Sequence, residues 1–516
     1  MAKLMTHLLA FSLFMALRVA TSSPILSCTQ TPYPHVCTTF MSNTIKNPLG
    51  FLNSALQATL DHAVHTHKLA SSIDLSLFDE KAKAAWADCL ELCEETISHL
   101  NRCMSPNSVS FDDSQTWLSA AIANQQTCMN GFKELNVNPS HLPSFPFTSN
   151  NISEFISNSL AINKAGFSPP KSGGNRKLLS DNFPKWLSVS DRKLLQSSNV
   201  KADLTVSKDG SGDYTTISEA VAASSKQRSG SSRFVIYVKA GVYKENVQIG
   251  SSMKNIMMIG DGIDQTVVTG SKNVQDGSTT FNSATFAVTG GGFIAKDMTF
   301  ENTAGPEKHQ AVALRSGADL SVFYRCSFKG YQDTLYVYSQ RQFYRNCDVY
   351  GTIDFIFGDA SAVLQNCNIY IRKPMSQQKN TVTAQARTDP NENTGIIIHN
   401  SAVTAASDLK SVQGSFKSYL GRPWQKYSRT VFMKTSLDSL IDPAGWLEWD
   451  GDFALSTLYY GEYMNTGAGA STSGRVKWQG YHVITSASEA GKFTVGNFLS
   501  GGSWISDTGV PFTSGL

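Results

Sequence analysis

The sequence is short of charge, of long apolar runs and of familiar nucleophile or metal motifs. Charged residues make up 16% of its 516 residues, and 44 Lys+Arg against 41 Asp+Glu leave a net charge of +3. A chain so nearly neutral has no basic field, so nucleic acid is excluded as a partner. Beyond the N-terminal segment no apolar stretch is long enough to span a bilayer, and no membrane span is expected. There is no Gly-X-Ser-X-Gly elbow and no Cys/His set with metal-ligand spacing. Serine-triad and zinc mechanisms are therefore unsupported, and neither metal nor cofactor is expected. Cysteine is sparse, and its odd count of nine leaves at least one thiol unpaired.

The chain is long enough for two or three domains. Residues 1–22 read as a secretory signal peptide: Lys3, an apolar run Leu8–Leu17, then the small residues Ala20-Thr21-Ser22. Secretion makes disulfides admissible, and Asn151-Ile152-Ser153 is a glycosylation sequon. Residues 23–165 carry helical periodicity. Leu52, Ala55, Leu56, Thr59, Leu60 and Ala63 share a face, as do Trp86, Leu90, Cys93, Ile97 and Leu100. Stripes at Leu118–Phe132 and Ile152–Leu160 complete an all-α four-helix bundle, with the character of a binding module. Cys28 could pair with Cys37 and Cys89 with Cys128, while His62, His65 and His67 read as solvated rather than metal-bound. Residues 166–195, rich in Ser, Gly, Pro and Lys/Arg, form a linker in which Arg-Lys-Leu-Leu occurs twice, at 176–179 and 192–195. A basic pair in an exposed linker is a candidate processing site.

From 196 to 516 short β-rich runs replace the helical stripes, and they repeat. Phe-Tyr-Arg recurs from Phe323 to Phe343 after twenty residues, Asp333 as Asp354 after twenty-one, and Cys347 as Cys367 after twenty. QAVAL at 310–314 aligns with QDTLY at 332–336. A period near twenty made of short strands indicates coils of a parallel β-solenoid. Matching positions then stack about 4.8 Å apart. Asp333 and Asp354 become stacked neighbours, with Gln310 and Gln332 in a column beside them. Two carboxylates that close cannot both ionise easily, so one should serve as acid and the other as base. Residues 215–224 should form a short helix capping the first coil, and the last sixty residues should pack along the outside.

The remaining polar groups fall into roles around this pair. Arg422, in LGRPW at 420–424, can hold Asp354 ionised through a bidentate contact, making Asp354 the nucleophile and Asp333 the proton donor. Gln310 and Gln332 can present amide N–H groups to an oxyanion, and Trp424 offers a flat face to a sugar ring.

With GVYKENV (241–247), QAVAL (310–314), YQDTL (331–335), DFIFG (354–358) and LGRPW (420–424) in order, the chain resembles plant pectin methylesterases of the long kind that carry an inhibitor-like pro-domain. The resemblance covers essentially the whole chain. It implies an all-β right-handed parallel β-helix and metal-free removal of C6 methyl esters from homogalacturonan in the plant cell wall. Asp354 would attack the ester, Asp333 would act as acid and then base, and Gln332, Gln310 and Arg422 would support them. Trp424 and Thr280 would contact substrate. It further implies a Cys347–Cys367 disulfide with Cys326 unpaired. The implied partners are pectin, the chain's own helical domain, free inhibitors of the same fold and a subtilisin-like processing protease. A pectin-cleaving lyase or glycosidase on a β-helix is the alternative enzyme, but calcium-binding carboxylate clusters and carboxylates spaced for anomeric attack are both missing. An inactive wall-binding or inhibitor protein is the alternative from another class.

Overall fold

A computed structural model describes residues 25, 27–41, 47–76, 78–105, 110–137, 146, 151–166, 201–227 and 232–516. The proposed signal peptide and the linker with both Arg-Lys-Leu-Leu motifs lie outside the described residues.

The N-terminal region is helical. A short α1 (Pro34–Thr38) precedes α2 (Pro48–Ser71), α3 (Glu80–Cys103), α4 (Phe111–Glu134) and α5 (Ile152–Gly166). The starts are set by local chemistry. The Asn47 and Asp79 side chains accept from Gly50 N and Ala82 N, and Ser110 with Asp113 forms a capping box. One core unites Phe51, Leu52, Leu56, Leu100, Leu118, Ile122, Ile156 and Leu160, so the four stripes read from sequence do meet. Disulfides join Cys28 to Cys37 and Cys89 to Cys128. Helix α4 is buried on nearly every face, more than a four-helix bundle alone requires.

The second face of α3 and α4 is covered by the β region. There, parallel strands form sheets of eleven, seven and eight strands among the described residues, and except at the two ends of the eleven-stranded sheet sequence neighbours lie in different sheets. This is a right-handed parallel β-helix, each complete coil contributing one strand to each sheet and the end coils strands to the eleven-stranded sheet. The register matches the repeat: Leu314, Leu335, Ile356 and Thr383 are aligned on successive coils of the seven-stranded sheet. The interior is filled by stacked rings, with Phe323 over Tyr344 at 4.8 Å between centroids. Helix α6 (Ile217–Gln227) closes one end through Ile217, Ala220 and Val221, its N-terminus held by the Glu245 carboxylate at 2.9 Å from both Ile217 N and Ser218 N. The C-terminal segment packs against the outside of the eleven-stranded sheet through Phe493, Val495, Leu499 and Trp504. Tyr459–Tyr463 and Tyr481–Val483, however, extend that sheet instead of lying outside it.

The expected Cys347–Cys367 disulfide is not formed: Cys326, Cys347 and Cys367 are all free thiols. The three stack on successive coils, where neighbouring thiols touch through hydrogen bonds and no covalent link. Each sulfur donates to backbone, Cys347 to Phe323 O at 3.3 Å and Cys367 to Gln365 O at 3.6 Å. Burial pushes both thiols well above the usual range, which holds them protonated.

Candidate active site

Asp333 and Asp354 occupy the same corner of adjacent coils, each two residues before its strand, with Asp333 N donating to Ile353 O at 3.1 Å. Both have left-handed backbone, φ 61° and 51°, a conformation that Asp and Asn tolerate better than most residues. The repeated corner accounts for an aspartate at both positions and turns both carboxylates to the same side of the solenoid. That side opens on a cavity of about 380 Å³.

Every site residue expected from sequence, the two cysteines apart, lines this cavity: Thr280, Gln310, Gln332, Asp333, Asp354, Arg422 and Trp424. Arg422 Nε lies 2.9 and 3.2 Å from the two Asp354 oxygens and its Nη2 lies 2.6 Å from Oδ2. This is the forked contact that fixes both charge and orientation. Thr381, on the next coil, completes the grip: its hydroxyl donates to Asp354 Oδ1 at 2.7 Å and accepts from Asp354 N at 2.9 Å. Asp333 lacks such support. Burial raises its pKa well above the carboxylate range, and the Asp354 and Glu134 carboxylates add to the rise against the opposing Arg422 charge. The pair therefore sets an acid that burial keeps protonated beside a carboxyl group forked by arginine. That combination can attack a carbonyl and protonate a leaving group.

Aromatic faces flank the pair. Phe357 packs on Tyr336 at 4.2 Å and on Trp424 at 5.8 Å, and the Arg422 guanidinium sits 4.3 Å from the Trp449 ring. Thr280 is buried beside the Glu134 carboxyl. Sequence reasoning missed Thr381, Phe357 and Trp449. Register could have found Thr381, since Phe355 and Thr381 sit on successive coils; Trp449 lies beyond any motif.

It also missed the roof. Asn130, Lys133 and Glu134 of α4 complete the cavity lining, and Glu134 Oε2 accepts from Thr280 N at 3.0 Å. Around this point the bundle is tied down. Asp88 takes hydrogen bonds from Thr279 and Asn282, and Tyr338 donates to Asn124 at 2.6 Å. Asp319 receives Trp117 Nε1 at 3.0 Å and pairs with Arg341, which also holds Asp113 at 2.7 Å. Trp86 and Phe132 share one apolar cluster with Phe281, Tyr336 and Phe357. In this chain, then, the carboxylate pair lies beneath α3 and α4. Among the described residues no group of three or more His, Cys, Asp or Glu is placed to hold a metal, and no helix is long and apolar enough to cross a membrane.

A solenoid cleft with stacked aspartates, one forked by arginine, between aromatic walls has the groups needed to attack an ester and to face a sugar ring. Residues 203–502 match the pectinesterase family, and residues 25–162 match the plant invertase/pectin methylesterase inhibitor family. The chain belongs to the pectinesterase family and is an enzyme of that class, with an inhibitor-like N-terminal domain. It is 58% identical to probable pectinesterase/pectinesterase inhibitor 17 of Arabidopsis thaliana, over 95% of this chain and 94% of that one. Pectinesterase 2 of Citrus sinensis is 56% identical over the same shares, 95% and 94%. Among solved structures, pectin methylesterase from carrot is 62% identical with a TM-score of 0.61, matching 62% of this chain and 100% of that one. Pectin methylesterase from Aspergillus niger is 33% identical with a TM-score of 0.52, covering 60% of this chain and 98% of that one.

Proposed function

We propose that this chain hydrolyses the C6 methyl esters of homogalacturonan through a covalent intermediate on Asp354. The observation that carries the reading is the asymmetry of the pair, with Asp354 forked by Arg422 and Asp333 held protonated by burial. The Asp354 carboxylate attacks the ester carbonyl, and the resulting oxyanion is met by amide N–H groups of Gln332 and Gln310. As the C–O bond to the methoxy group breaks, Asp333 gives that oxygen its proton and methanol leaves. A mixed anhydride remains on Asp354. Asp333, now a carboxylate, takes a proton from water, which attacks the anhydride and frees the galacturonate and Asp354. Trp424 and Thr280 contact the sugar. No metal or cofactor enters the sequence of steps.

The helical domain serves as an intramolecular inhibitor, because α4 roofs the cavity and Glu134 takes the Thr280 N–H. A linker of about thirty residues holds it at a millimolar-range effective concentration. Cleavage after one of the Arg-Lys-Leu-Leu motifs, following Leu195 or Leu179, by a subtilisin-like protease would release the enzyme, and free inhibitors of the same fold could replace the lost roof. The chain is secreted to the plant cell wall, with Asn151, exposed at the start of α5, as its glycan acceptor.

Incubating the 196–516 chain with methylated pectin, while following methanol and polymer length together, tests this reading. Methanol release at constant length is the expected result. Shortening without methanol would replace it with the lyase or glycosidase reading, and silence on both counts with the inactive one.

A further inference from the structure

Arg315 has no part in the reaction just described, yet it lies in line with the site. In the seven-stranded sheet Leu314 points into the solenoid core, and Arg315 falls in the opposite row, aligned with Ala287, Tyr336, Phe357 and Ala384. That row is the floor on which the bundle sits. Its Phe357 and Ala384 end lines the cavity of the aspartate pair. Arg315 is two coils from Asp354 along the row, about 10 Å at one strand spacing per coil.

The side chain is 2% exposed, and its guanidinium carbon lies 3.4 Å from the centroid of the Phe281 ring. Its Nε and Nη1 are buried without a hydrogen-bond partner among the described residues. Two charged donors left unpaired in a buried site are costly, and a site under no other constraint would have filled them. Asp88 and Glu95, the bundle acids overhead, feel the Arg315 charge but do not reach these two nitrogens. The bundle thus covers the cation with carboxyl groups without completing a fork.

A guanidinium presenting free donors on an aromatic face, along the floor of a cleft, suits a planar carboxylate. Once the bundle has left, the cleft holds a polymer whose de-esterified residues carry such groups. We propose that Arg315 binds a free galacturonate carboxylate of the substrate chain, so that the released enzyme favours methyl esters near residues already de-esterified. This inference rests on the pectin methylesterase reading above and adds a specificity-determining residue to it.

The test uses the 196–516 chain. The carrot structure, matched over 100% of its own length by 62% of this chain, shows that the solenoid stands without the bundle. Arg315→Gln and Arg315→Lys are compared with wild type on galacturonate oligomers that are fully methylated or partly de-esterified, with unmethylated polygalacturonate as a competing ligand. A charge-assisted hydrogen bond to a carboxylate corresponds to roughly 10- to 100-fold in binding. Arg315→Gln should lower the ratio of kcat/KM on the partly de-esterified to the fully methylated oligomer by about that factor, and should raise the polygalacturonate inhibition constant likewise. Arg315→Lys, keeping the charge without the fork, should recover part of both. A folded variant, checked by its melting curve, with both quantities within twofold of wild type overturns the proposal. If Arg315→Gln does not fold, an unchanged ratio in Arg315→Lys does the same. Wild-type enzyme releasing no methanol from either oligomer would sink the functional reading instead, a result distinguishable from the first.

Discussion

Raising the pH should loosen the bundle from the solenoid. Asp88 is 1% exposed and receives its hydrogen bonds from Thr279 and Asn282 of the solenoid. Burial raises its pKa from 3.8 to about 7; the Thr279 hydrogen bond and Arg315 oppose the rise, and Glu91 and Glu134 add to it. Glu95 is likewise raised to about 7, mainly by burial with help from Glu91, against Arg315 and Thr289. Glu95 is half-buried, so solvent screens its share of the effect. An acid whose pKa is higher when docked takes up a proton on docking. Docking is therefore at full strength below the free pKa, near 4, and weakens as pH rises through about 7. A rise of about three units caps the effect of Asp88 at roughly a thousandfold, about 4 kcal/mol. About tenfold is the smallest effect we expect. After proteolysis within 166–195, calorimetric titration of the bundle onto the solenoid from pH 4.5 to 8 should show that weakening. Asp88→Asn, neutral throughout, should flatten most of it. A dissociation constant that is level across this range in wild type would refute the reasoning.

Other expectations follow from the cleft itself. Asp333→Asn should leave pectin binding largely intact but slow methanol release about 10²–10⁴-fold, and a normal rate at the wild-type optimum would reduce Asp333 to a structural residue. Removing an oxyanion donor in Gln332→Ala should cost about 10²–10³ in kcat with little change in KM, read from initial rates on methylated oligomers; a KM effect alone would make Gln332 a binding group. Chelator should leave the rate of the 196–516 chain unchanged, and a loss restored by calcium would point to lyase chemistry.

What could be read from the sequence was whatever repeats. A twenty-residue period places Asp333 over Asp354 before any coordinates exist, since parallel register leaves one choice once the apolar positions are aligned. The four helical stripes and the two bundle disulfides follow from local periodicity and spacing in the same way. Contacts between non-repeating surfaces leave no such trace. Glu134, Asn130 and Lys133 reach the cavity only because α3 and α4 dock on the seven-stranded sheet, and nothing in their spacing announces a second buried face except the absence of charged residues from Ser114 to Phe132 on α4. Trp449 arrives from a long loop without a motif. The cysteine column shows the opposite error: the period put Cys347 beside Cys367 correctly, but the stacked neighbours are held by thiol hydrogen bonds, to backbone carbonyls and along the column, and not by a covalent bond.

The central claim is that Asp354 is the nucleophile, and Asp354→Asn in the 196–516 chain tests it most directly. The amide keeps the shape and can still bond to Thr381, so the fold and the melting temperature should hold, while it lacks the charge to attack an ester carbonyl. Methanol release from methylated pectin, measured with binding of the same substrate, should fall in kcat by at least about a thousandfold with affinity retained. A folded variant that releases methanol within tenfold of wild type would contradict the account.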